Sequence, residues 1–378
     1  MATVDVLPSQ GVHHPNFNAA IKEPPEVNLA GPPNIPAFEH SKHLDFSEPP
    51  KTYSMQELGF PEGTGVSPVA VSDPFPLFSK EAIDAMRTEV LSDQVWDNCR
   101  YSSDIAACQL RGFSPKYARF VYDAWTNPET LAAISKVAGI DLIPNMDFEI
   151  AHINISVKSE AQKNQELAEF NDKKAQLIAE GSDERLAEDE KPVVGWHTDA
   201  YPFVCVVMLS DASTMIGGET ALRTGRGEIL KVRGPQMGSG VVLQGRYIKH
   251  QALRALGSQE RITMVTSFRP RSPALPDDSV LTTVRGISDL SELYFQFSEY
   301  RLEILEERIR GALKKLRERH RSGRPTETCA IKLFLKDQET FIARTNEEMY
   351  EEDQVVQGYS HQLEIDEENQ GEKQARLK

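Results

Sequence analysis

Phe148-Glu149-Ile150-Ala151-His152-Ile153-Asn154-Ile155-Ser156-Val157 alternates between apolar and polar side chains. Successive strand residues point to opposite faces, so this run reads as a half-buried strand. Further short strand candidates follow at 203–209, 219–222, 229–232, 240–243, 247–252 and 261–268, separated by glycine pairs and prolines. Many short strands with turn signals between them predict an antiparallel barrel or sandwich. N-terminal to residue 146 the period is helical. Residues 79–91 place Ala82, Ile83, Met86 and Val90 on one face behind Ser79 as N-cap. Residues 115–124 form a second helix candidate. A third opens at Asn127-Pro128 and stops at Gly139. The class is therefore α+β.

Between the strands, residues 158–192 change texture. Nearly half are charged, and Leu167, Phe170, Leu177 and Ile178 form one thin apolar stripe. The insert reads either as a lid over a site or as a solvated surface excursion. Beyond Pro273, apolar residues near a 3.6 spacing predict one long helix over 288–319, continuous or broken once. Its apolar face packs on the core or pairs two subunits as a homodimer, and core packing is the better reading. From Glu347 the chain is strongly charged and reads as a fraying tail. Residues 1–65 are proline-rich and read as an extended arm, wrapped over the domain or partly disordered. The expected organisation is that arm, then one domain over 66–378. Within it, supporting helices span 66–145, strands with the insert span 146–272, and a helical region with the tail spans 273–378.

Bulk composition narrows the function. The 378 residues carry a net charge of −15. Nucleic-acid affinity depends on Lys/Arg neutralising phosphates, so a nucleic-acid partner is not expected. No apolar run approaches the about 20 residues that span a bilayer, and residues 1–10 lack a secretory pattern. Cys99, Cys108, Cys205 and Cys329 fit no zinc or CxxC spacing and read as reduced thiols. A cytoplasmic protein is expected.

Chemistry concentrates in Gly195-Trp196-His197-Thr198-Asp199-Ala200-Tyr201-Pro202-Phe203. On an extended chain, His197 and Asp199 point to the same side. A His-x-Asp alone is common, and a strand-end His–Asp pair explains it equally well. Farther on, Leu243-Gln244-Gly245-Arg246-Tyr247-Ile248-Lys249-His250 brings a second histidine after a glycine turn. Arg261-Ile262-Thr263 then opens the last alternating run. Strands distant in sequence face each other across a small barrel. Two histidines and one carboxylate on one face of a metal leave open positions, the pattern of non-haem Fe(II) oxygenases.

On His197-x-Asp199, His250, Arg261-x-Thr263 and the Gly217-Gly218-Glu219-Thr220 turn, the chain resembles the Fe(II)/2-oxoglutarate dioxygenase superfamily, and across 196–203 and its flanks it resembles the fungal small-molecule members. The resemblance covers about 146–271 without the insert. It implies a double-stranded β-helix (jelly-roll) barrel flanked by N- and C-terminal helices. It also implies Fe(II) on His197, Asp199 and His250, and 2-oxoglutarate as cosubstrate. Arg261 and Thr263 would then take the distal carboxylate. Asn154 would contact the cosubstrate or remain a strand asparagine. Arg246 would be structural or contact substrate or cosubstrate. His152 is a weaker pocket candidate, and Trp196, Tyr201 and Phe203 would wall the pocket or pack in the core. The implied reaction is oxidation of a C–H bond of a small amino acid or metabolite with O2, by hydroxylation, desaturation or ring closure. Asp199 disfavours halogenation, because family halogenases carry a small residue there. The alternatives are a cupin-like iron enzyme without cosubstrate, which has no need of Arg261 and Thr263, and a catalytically silent barrel used for binding, against which the three metal ligands argue.

Overall fold

The computed structural model describes residues 35–103, 106–180 and 192–359. In chain order, the strands that carry the architecture are β1 Thr52–Ser54, β2 Val69–Ser72, β3 Arg100–Tyr101, β4 Gln109–Leu110, β5 His152–Val157, β6 Pro192–His197, β7 Phe203–Met208, β8 Thr220–Arg223, β9 Ile229–Val232, β10 Ser239–Leu243, β11 His250–Leu253 and β12 Glu260–Pro270. The main helices are α1 Lys80–Val90, α2 Arg119–Thr126, α3 Pro128–Ala138, α4 Glu160–Ala179, α5 Leu290–Arg321 and α6 Thr328–Glu347. One ten-stranded sheet runs β1-β2-β10-β7-β12-β5-β4-β3, with Phe75–Pro76 paired to β10 and Leu142–Pro144 to β12. A second sheet of four strands runs β9-β8-β11-β6. The pairings between these strands are antiparallel.

The period-two alternation decides which core each side chain joins. Ile153, Ile155, Phe203, Cys205, Val207, Ile262, Met264 and Phe268 face one way and pack against α1, α2 and α3. Their neighbours Val204, Val206, Val241, Leu243 and Val265 face the other way and meet Leu222, Leu230 and Val232 of the four-stranded sheet. The two sheets thus lie face to face over a shared apolar layer. A third cluster joins Phe297, Tyr300, Ile304 and Phe341 of α5 and α6 to Phe148, Ala200 and Tyr201.

Local signals account for several boundaries. Ser79 caps α1 through the Ala82 N–H, and Asn127 caps α3 through that of Glu129. Gly139 ends α3 in the left-handed conformation that a β-carbon disfavours. The helix expected over 115–124 is broken at Ala118. The buried Glu89 carboxylate accepts the Phe120 and Val121 N–H groups at 3.0 and 2.9 Å, restarting the helix as α2.

Other expectations are corrected. The strand expected from Phe148 begins at His152. A short 3-10 turn occupies Asp147–Glu149, and Ala151 adopts φ 66°. Glu149 is turned inward to Arg111 and Tyr201, so the alternation there does not report a strand. The boundary at 65/66 is no break either: β1 pairs with β2, and Met55 and Leu58 are buried. The proline-rich stretch from residue 35 is wrapped on the domain; residues 1–34 lie outside the described residues. The long C-terminal helix is present and unbroken, but α6 gave no separate signal. Glu348, expected to fray, pairs with the buried Arg285, and Gly358 N–H donates to Gly286 at 2.7 Å. Residues 360–378 lie outside the described residues. The insert folds as α4 behind a Ser159–Gln162 capping box and buries no residue fully; residues 181–191 are not described. No described helix is long and apolar enough to cross a membrane.

Candidate metal centre

His197 ends β6 and sits directly across the pairing from His250, which opens β11. His250 in turn pairs with Leu222, whose side chain lies in the layer between the sheets. Directly paired residues share a face, so both imidazoles point into that layer. Asp199 arrives from the loop after β6, which is held by its own N–H donating to the Gly245 carbonyl at 2.9 Å. Gly245 is required here for close approach: a β-carbon at that position would overlap the Asp199 carboxylate.

The donor atoms of His197, Asp199 and His250 lie within 4.8 Å of one another. Asp199 Oδ1 is 3.7 Å from His197 Nε2 and 3.5 Å from His250 Nε2. His197 Nδ1 lies 2.7 Å from the Gly195 carbonyl, and His250 Nδ1 lies 2.9 Å from that of Ile248. A carbonyl only accepts, so each Nδ1 carries a proton, and each ring in its neutral form turns the Nε2 lone pair toward Asp199. Asp199 Oδ2 is buried and has no hydrogen-bond partner. Burial pushes the Asp199 carboxyl up, but His250, His197 and Arg246 outweigh it and hold the group below its ordinary range. Burial likewise lowers His250, and the facing carboxylate more than reverses this. A half-buried carboxylate whose buried oxygen lacks a partner, beside two imidazoles, fits a divalent cation.

Arg261, Thr263 and Val265 alternate onto the face of β12 that meets the four-stranded sheet, paired with Ser156, Asn154 and His152 of β5. Arg261 Nε is shielded from solvent without a hydrogen-bond partner, and no described carboxylate pairs with its guanidinium. Burial lowers its pKa. It lines a cavity of about 810 Å³ with Met208, Glu219, Arg233 and Ser239. A guanidinium in this state fits a carboxylate ligand. Thr263 is buried beside it.

The other expected residues are distributed differently. Arg246 is engaged by the protein: Nε donates to the Asp278 carbonyl at 2.8 Å and Nη1 to Thr198 Oγ1 at 3.3 Å. It therefore steadies the Thr198-Asp199 loop. Asn154 lies 3.4 Å from the Gln109 amide. Phe203 packs on the helix side of the sheet, away from the layer that holds the imidazoles. Trp196 lies under the Arg223 guanidinium. His152 sits 2.9 Å from Arg111 Nη1 and 3.1 Å from the Gln109 amide. Burial and Arg111 hold it well below its ordinary pKa, hence neutral.

Sequence reading missed the buried network that continues from there. Arg111 pairs with Glu149, and Tyr201 donates to Glu149 at 2.9 Å. Gln109 stands in a two-residue strand and Arg111 directly after it, with no periodic signal; Tyr201, two residues past Asp199, was the visible member.

No protein-family model matches the chain, and no curated protein matches it. Among solved structures, an oxidoreductase of the 2OG-Fe(II) oxygenase family from Burkholderia pseudomallei is 13% identical. It covers 47% of this chain and 76% of its own, at a TM-score of 0.31. A Pseudomonas putida prolyl-4-hydroxylase is 14% identical over 51% of this chain and 88% of its own, at 0.32. AviO1 from Streptomyces viridochromogenes is 14% identical over 55% and 91%, at 0.34. Likeness at this level leaves the chemistry to be argued from the residues.

Proposed function

We propose that this chain is a non-haem Fe(II)/2-oxoglutarate-dependent oxygenase built on a double-stranded β-helix, acting on an unactivated C–H bond of a small amino acid or natural-product metabolite. The observation that carries this reading is the convergence of His197 Nε2, His250 Nε2 and the Asp199 carboxylate, each ring fixed by a carbonyl behind it. Three protein donors on one face leave the remaining positions of a six-coordinate ion for small molecules. Ferrous iron and 2-oxoglutarate, when bound, would activate O2, the oxidant, with one oxygen atom leaving in succinate as CO2 is lost and the other available to oxidise the substrate.

The chain's own residues provide binding, orientation and exclusion of water. His197, Asp199 and His250 hold the ion. Arg261 takes the distal carboxylate of 2-oxoglutarate, which gives its unpaired guanidinium a partner, and the Thr263 hydroxyl supplies a second donor. Asn154, cross-strand from Thr263, presents an amide on the same face. Arg246 keeps Asp199 in place through Thr198. The net charge of −15 opposes a polyanionic substrate and favours a small one.

Anaerobic addition of Fe(II) and then 2-oxoglutarate is expected to produce a visible metal-to-ligand charge-transfer band. Under air, 2-oxoglutarate should turn over to succinate, faster when the right substrate is present. His197→Ala and Asp199→Ala should lose both signals while keeping their circular dichroism. Absence of band and succinate from metal-replete protein overturns the reading. Oxygen consumption on Fe(II) alone, indifferent to 2-oxoglutarate, would point instead to a cosubstrate-independent iron enzyme.

A further inference from the structure

One face of α5 has no partner within the described chain. Leu293, Phe297, Tyr300 and Ile304 point to the core. On the far side Phe295, Leu302, Ile309 and Leu316 stand 59%, 63%, 43% and 38% exposed, at intervals of seven residues. Isolated exposed leucines are ordinary on a protein surface. A stripe repeating every seventh residue along one helix is different, because that is the spacing that keeps a seam facing a second helix. The stripe runs for roughly 32 Å at 1.5 Å per residue.

The charges on α5 say which helix fits. From Glu292 to Glu307 its ionised residues are acidic except Arg301, which is buried against Asp277, Phe341 and Thr345. From Arg308 to Arg321 they are basic except Glu318. A parallel copy of this helix would set acid against acid and base against base. An antiparallel copy sets each acidic half against a basic half. The apolar stripe is self-complementary in the same arrangement, with Leu302 of one copy beside Ile309 of the other across a two-fold axis. That is the isologous contact of a closed dimer.

We infer that the chain forms a two-fold homodimer through antiparallel pairing of α5. This does not rest on the oxygenase reading, and apo protein suffices to test it. Sedimentation of the full chain at tens of micromolar is expected to give twice the chain mass. Leu302→Glu with Ile309→Glu, both at exposed positions, should give a monomer with unchanged circular dichroism. The pairing direction is read by cysteine cross-linking in a Cys329→Ser background, where the remaining cysteines are buried. Phe295→Cys chains alone and Leu316→Cys chains alone should not cross-link, whereas their mixture should. A monomeric wild-type chain, a dimer that survives the double substitution, or cross-linking of each single-cysteine chain to itself would overturn the inference. So would a monomer whose stripe is shielded by residues 1–34 or 360–378 of its own chain.

Discussion

The two imidazoles of the candidate centre are aimed by backbone carbonyls before any metal arrives, and the carboxylate is aimed by a glycine. Asp199 sits where it does because Gly245 offers a carbonyl to its N–H and has no side chain to collide with. Gly245→Ala should therefore displace the carboxylate while sparing the strands. We expect at least a tenfold loss of metal affinity with little change in circular dichroism, read as the metal-induced rise in melting temperature. For wild type that rise corresponds to about 2.7 kcal/mol when the ion is present at a hundred times its Kd. An alanine variant that still gains the full shift would show that Asp199 is no ligand. Arg261 makes the complementary case. Its guanidinium is held among protein groups without a counter-charge, an arrangement that stability alone does not favour. Arg261→Met is expected to raise the 2-oxoglutarate KM at least tenfold without lowering the melting temperature of the apo protein. A drop in apo stability with unchanged KM would make Arg261 structural.

At the scale of elements, whether the sequence could be read depended on whether a residue answers to local or distant partners. The caps Ser79, Asn127 and Gly139 and the alternation of 261–268 act within a few positions, and the elements they mark lie where expected. The three candidate metal donors could be picked out by residue type, and strand pairing sets His197 against His250, but Asp199 is placed by a loop contact with Gly245. Boundaries set by partners far along the chain were not legible. Glu149 looks like a strand residue until Arg111 is placed beside it, and the break at Ala118 follows from Glu89, a residue of another helix. Glu89→Ala leaves two N–H groups at the start of α2 without acceptors and should cost about 1–2 kcal/mol in urea unfolding. Burial raises the Glu89 pKa against the pull of its two N–H bonds, so the folded state binds the proton more tightly than the unfolded chain. This residue's contribution to stability is then full at pH below the ordinary carboxylate value and falls as pH rises through the raised one. Glu89→Gln should remove that slope; an unchanged slope would assign it to other groups.

At the scale of the molecule, the metal loop is not finished by the sheet that carries it. Ala200 and Tyr201, directly after Asp199, are buried against Phe297 and Phe341 of the C-terminal hairpin. Asp278, in the segment leading to that hairpin, takes hydrogen bonds from Arg246, Tyr247 and Arg344 and so ties the Gly245 turn to α6. The Phe341 ring is itself in contact with the Arg301 and Arg308 guanidinium groups, 3.6 and 4.4 Å from its centroid. Phe341→Ala should cost about 3–5 kcal/mol as a large core deletion. Because its cluster includes the residues beside Asp199, the folded fraction should also bind the ion more weakly. Ile134→Ala supplies the control: it opens a cavity in the helix-side cluster, away from the metal loop. It should lower stability by a comparable amount and leave metal affinity in the native state unchanged. Measuring the unfolding midpoint and the metal Kd for both variants separates packing from positioning. Equal loss of affinity in the two would mean that the centre responds only to global stability, and that the hairpin is a buttress for the fold and nothing more.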